Sequence, residues 1–63
     1  MTRLLKREIW RNGTCIYFIE KYYEKFASVP HWRYGEYTSQ GKVVQSDGLL
    51  KKPSKKLNYF QLS

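Results

Sequence analysis

At 63 residues and a net charge of +7, the chain has room for one domain around one small core. A single Cys and a single His exclude an internal disulfide and fall short of the three or four ligands of a usual zinc site, so no metal or other cofactor is expected. No apolar run approaches the about 18 residues of a membrane span, and none of signal-peptide length follows Met1; the expectation is a cytoplasmic, reducing setting.

The charge lies at the two ends. Residues 1–11 hold Arg3, Lys6, Arg7 and Arg11 against Glu8, and residues 48–63 hold Lys51, Lys52, Lys55 and Lys56 with no acid, while 12–47 are neutral overall. Two local patches of this kind can bind an anion, whereas scattered charge mostly keeps a protein soluble.

In chain order, Asn12-Gly13 stands between two runs rich in Ile, Tyr, Phe and Trp, which predicts a β-hairpin over about 3–20 with a type I′ turn. That turn pairs Arg11 with Thr14, Trp10 with Cys15 and Ile9 with Ile16. Leu5, Ile9, Ile16 and Phe18 then share one face, and Leu4, Trp10, Cys15, Tyr17 and Ile19 the other. Asn12-Gly13-Thr14 also matches a glycosylation acceptor, read here as a turn. Arg3, Arg7 and Arg11 recur at a spacing of four, which aligns them on one side of a regular strand or a helix. Guanidinium forks suit phosphates or carboxylates; charges on an edge strand also discourage aggregation.

Two readings stand for residues 18–27. Apolar residues at 18, 19, 22, 23, 26 and 27 with charges between them fit a short helix, while the β preference of Tyr and Phe fits a continued strand. Ser28-Val29-Pro30 ends either element. His31–Tyr37 and Lys42–Gln45, joined by a turn over 38–41, predict a second hairpin over 31–45, and Ser46-Asp47-Gly48 a further turn. Lys-Lys-Pro-Ser-Lys-Lys at 51–56 reads as a basic loop or hairpin tip, since like charges repel and proline breaks pairing, with a C-terminal strand near 57–62. The fold class is therefore a small α+β or mainly β domain, an antiparallel sheet of two hairpins, with one compact unit over 1–63.

Catalysis is not expected. Cys15 and His31 could form a nucleophile and base on paper, but Cys15 lies among apolar neighbours and reads as a small buried hydrophobe. No glycine loop for phosphate and no paired acid and base appear. The chain reads as a small basic binding protein. Nucleic acid, DNA or RNA, is the first partner expected, held through phosphates by Arg3, Arg7, Arg11, Lys51, Lys52, Lys55 and Lys56 with little sequence specificity. The alternative is an adaptor or inhibitor that docks on an acidic protein surface, with Trp32, Tyr34 or Tyr37 filling a pocket; a homo-oligomer is compatible with either. Convergence of the two basic patches on one face would favour nucleic acid, and divergence the protein partner.

Overall fold

Gly13 sets the first hairpin. In the computed structural model, which describes residues 2–62, β1 (Thr2–Asn12) turns into β2 (Cys15–Glu24) through Gly13 and Thr14. Gly13 has φ 60°, and neither Asn12 nor Thr14 has positive φ. Positive φ at the first turn position alone is the type II′ pattern, which favours glycine there; it replaces the expected type I′ turn over Asn12-Gly13. Asn12 consequently pairs with Cys15, Arg11 with Ile16 and Trp10 with Tyr17, two residues along from the expected register. A shift of two keeps each side chain on its own side of the sheet.

A bulge then breaks the parity. Leu4 pairs with Tyr22 and Lys6 with Lys21, leaving Leu5 as the extra residue. Everything before it changes sides, so Leu4 joins the face of Ile9 and Phe18 while Arg3, paired with Tyr23, moves to the face of Trp10 and Tyr17. The expected grouping of Leu4 with Trp10 is corrected by this one inserted residue.

Residues 18–27 form no helix. β2 runs through Glu24, and the chain then turns at Lys25-Phe26, closed by the Ala27 N–H donating to the Glu24 carbonyl at 3.1 Å. β2 lies inside the sheet between β1 and β3 (His31–Thr38), and the described buried apolar residues Tyr17, Phe18, Ile19 and Tyr22 all belong to it. A strand covered on both faces needs no polar and apolar alternation, which is why its pattern imitates a helix.

β3 pairs with β4 (Gly41–Leu49) through the predicted turn, Thr38 opposite Gly41. The second hairpin is longer than expected. The expected turn at 46–48 is instead part of β4, where register irregularities opposite Trp32–Gly35 take up the extra residues. Gly48 supplies φ 72° there. The C-terminal strand shrinks to β5 (Phe60–Gln61), which pairs antiparallel with β1; residues 57–58 make a turn in which Asn58 takes φ 66°. The single sheet reads β4-β3-β2-β1-β5, and among the described residues no helix is long and apolar enough to cross a membrane.

Between β4 and β5 the chain crosses one face of the sheet as a strap, residues 50–59. Of the two expected readings, loop and hairpin tip, the segment is the loop, and it lies on the sheet instead of projecting as a tip. Tyr17 donates its hydroxyl to the Ser54 carbonyl at 3.4 Å, Lys52 reaches Glu8 at 2.7 Å, Lys56 pairs with Glu36 and Tyr59 meets Tyr17 edge-on. Carboxylates and rings on the sheet offset the mutual repulsion of the lysines. The opposite face is packed by side chains of the sheet's own strands and is called the open face below.

Candidate nucleic-acid interface

The two basic patches do not converge. Arg7 and Arg11 project on the open face, with Ile9 between them, whereas Lys52, Lys55 and Lys56 lie over the strapped face and Arg3 has crossed to that side at the bulge. The expected stripe of three arginines is thus two arginines. A bulge at Leu5 leaves no clear mark in the sequence, because Leu4 and Leu5 are chemically alike.

The strap lysines are engaged with the sheet to different degrees. Lys52 shares the buried carboxylate of Glu8 with Lys6, whose Nζ lies 3.4 Å away. Burial alone would raise the Glu8 pKa, but hydrogen bonds and charge from Lys52 and Lys6 outweigh it and hold the carboxyl below its ordinary value. The hydrogen bond to Glu36 pushes Lys56 above the usual lysine range against a smaller opposing burial effect. Lys55 stands over the Trp10 ring at 5.4 Å and Lys52 over Trp32 at 5.9 Å. Lys51 is exposed.

The aromatics expected to be available divide likewise. Trp32 is half-buried between Lys21 and Lys52, and Tyr34 is half-buried with its ring centroid 5.9 Å from that of Tyr17. Both lie beneath or beside the strap. Tyr37 is on the open face, edge-on to Phe18 at 5.6 Å. Cys15, expected to be buried, is exposed beside the first turn.

Register assembles a row that the sequence does not display. On the open face, Phe60 of β5 stands beside Arg11 of β1, then Ile16 of β2, Tyr37 of β3 and Lys42 of β4. Phe60 is 74% exposed. At about 4.8 Å per strand, the backbone positions of Phe60 and Tyr37 are roughly 14 Å apart along the sheet, as are those of Arg11 and Lys42. Arg11 is steadied by its Nε, which donates to the Gly13 carbonyl at 2.7 Å. The adjoining row is Ile9, Phe18, Gly35 and Val44, an apolar floor. Gly35 is required there, since a Cβ would overlap the Val43 carbonyl and come within 2.8 Å of Phe18 Cζ. Next come Arg7, Glu20 and Arg33.

Glu20 is buried and held by Arg33 Nε at 2.7 Å and Lys42 Nζ at 3.2 Å. Lys42 therefore serves two groups, Glu20 and the Phe18 ring, with its side chain still 35% exposed. Tyr22 donates to Asp47 and accepts from the Gly48 N–H at 2.9 Å; burial and the Asp47 hydrogen bond push its pKa up. Phe60 and Lys42 were missed as site residues because only the pairing of β5 with β1, and of β4 with β3, brings them into line with Arg11. Neither residue carries a local signal in the sequence, since a Phe between Tyr59 and Gln61 and a Lys just after a turn say nothing of a line with Arg11.

Among the described residues no group of three or more His, Cys, Asp or Glu is placed to hold a metal. Comparison with protein-family models, curated proteins and solved structures finds no match to this chain.

Proposed function

We propose that the protein binds single-stranded nucleic acid, DNA or RNA, across the open face of its sheet, with little sequence specificity. The observation that carries this reading is the row Phe60, Arg11, Ile16, Tyr37 and Lys42. A strand crossing it meets an exposed ring, a cation, an apolar step, a second ring and a second cation. Bases stack on such rings at roughly 1–3 kcal/mol each, and every base has a face to offer. Arg7 and Arg11 take phosphates.

The site differs from the one expected from sequence. Arg7 and Arg11 of β1 remain, Arg3 of the same strand leaves, and the strap lysines serve the other face. The reading of an acidic protein partner retains Tyr37 on the open face, while Trp32 and Tyr34 are committed beneath the strap. The divergence of the two basic patches favours that partner; the placement of Trp32 and Tyr34 under the strap counts against it, and the open-face row is what keeps nucleic acid ahead.

Fluorescence anisotropy with a labelled pyrimidine oligonucleotide tests the proposal at two or more salt concentrations. Replacing Arg7 and Arg11 by Gln is expected to reduce the salt slope by about 1.4, near 0.7 for each phosphate of a single strand that the protein no longer neutralises. Tyr37→Ala or Phe60→Ala should weaken binding by about tenfold or more at fixed salt, and Lys51→Gln should change it little. No binding at about 50 mM salt, or binding indifferent to Arg7 and Arg11, sinks the reading.

A further inference from the structure

The strapped face contains a cavity of about 410 Å³ that the open-face site does not use. Its walls include Lys6, Glu8, Trp10, Ile19, Lys52 and Lys55. Three ammonium groups thus meet one carboxylate, a local excess of two positive charges. Glu8 is already shared by Lys6 and Lys52, so Lys55 is left to the Trp10 ring. The indole N–H of Trp10 is buried and has no acceptor among the described residues. A buried donor left unpaired costs about 1–3 kcal/mol, so such a group commonly marks a place where an acceptor belongs.

From this geometry we infer that the cavity under the strap is a binding site for a phosphate group. The donors are in excess, the local charge matches a dianion, and a tetrahedral phosphate presents enough acceptor oxygens for two or three ammonium groups and an indole together. Ile19 forms an apolar wall. The phosphate could belong to a free anion, a nucleoside monophosphate or the 5′ end of a strand. The site lies on the opposite face from the proposed strand path, so either can fail without the other.

The test is a titration of the folded protein with inorganic phosphate and with thymidine 5′-monophosphate, followed by amide and indole N–H NMR signals. The Trp10 indole resonance should shift with saturation. Trp10→Phe, which retains an aromatic ring, and Lys55→Gln, at an exposed position, should each weaken phosphate binding about tenfold, as expected for one charge-assisted hydrogen bond. Lys51→Gln should bind like the parent. A pair of oligonucleotides with 5′-phosphate and 5′-hydroxyl ends separates the sources. A gain for the phosphorylated strand that disappears in Lys55→Gln assigns the terminal phosphate; equal affinity of the pair, with free phosphate still shifting Trp10, assigns the free anion. A Trp10 indole signal unmoved at about 10 mM phosphate, or unchanged phosphate affinity in both variants, overturns the inference.

Discussion

Each face of the sheet buries one carboxylate among cations, but the cations come from different places. Glu20 on the open face is met by Arg33, its register partner on β3, and by Lys42, whose side chain reaches from β4 across the Phe18 ring. Glu8 on the strapped face is met by Lys6 from its own strand and by Lys52, 44 positions away on the strap. Glu20 therefore ties neighbouring strands together, whereas Glu8 fastens a segment that lies on a sheet already formed. The difference separates a network that supports the fold from one that can open while the fold persists.

The largest effect should follow from disturbing what the open face is built upon. Gly35→Ala would push a methyl group into the Val43 carbonyl and against Phe18, and the neighbour that has to yield is backbone. A loss of about 3 kcal/mol is expected, read from the urea midpoint. A loss below about 0.5 kcal/mol, typical of an unconstrained surface site, would show that β3 and β4 can separate freely and that the apolar floor is softer than its geometry.

Neutralising the two carboxylates sharpens the comparison directly. Glu20→Gln leaves Arg33 and Lys42 around a buried amide; both cations can still turn toward water, so the cost should be about 2 kcal/mol, less than for a fully enclosed pair. Glu8→Gln should cost about 1 kcal/mol or less, because Lys6 and Lys52 are 59% and 47% exposed. Hydrogen exchange distinguishes the modes of loss. Glu20→Gln should lower protection throughout β2 and β3, and Glu8→Gln should raise exchange at Tyr59 and Leu62, on and beyond the strap, with β2 unchanged. Equal loss in β2 from both variants would abolish the proposed division.

That division also marks how far the sequence could be read. Both hairpins, the antiparallel sheet and the open-face placement of Arg7 and Arg11 follow from local turn residues and a period of two. The strand at 18–24 was legible only as one of two readings, from the β preference of Tyr and Phe, because β2 is covered on both sides and Tyr17, Phe18, Ile19 and Tyr22 do not alternate. Arg3 was misplaced by the single extra residue at Leu5. The strap was unreadable for a different reason: Lys-Lys-Pro-Ser-Lys-Lys states locally only that it resists helix and strand, while what holds it, Glu8 and Glu36, lies on distant strands. Long-range charge pairing leaves no periodic trace. The row across the open face was likewise hidden until β5 was found to pair with β1.

The smallest expected effect concerns pH, and it separates the strap's two anchors. Glu8 has its folded pKa held down, so its contribution is complete above the ordinary carboxylate value of about 4.3 and is lost as pH falls through the depressed value. Lys56 has its folded pKa raised by Glu36, so its contribution is complete below the ordinary lysine value of about 10.4 and is lost as pH rises through the elevated one. Tyr17, pushed up chiefly by burial, adds to the alkaline loss, because its ionised form cannot donate to the Ser54 carbonyl. The strap should accordingly hold from about pH 5 to 9, release first around Lys52 in acid and first around Ser54 to Lys56 in alkali. Each release should amount to less than about 1 kcal/mol, as befits partly exposed pairs. Side-chain and amide chemical shifts of residues 51–56, followed alongside those of Phe18 and Ile19, measure it. If strap and β2 signals change with one shared midpoint at either extreme, the strap is part of the sheet's cooperative unit and the two faces do not differ in the way their carboxylates indicate.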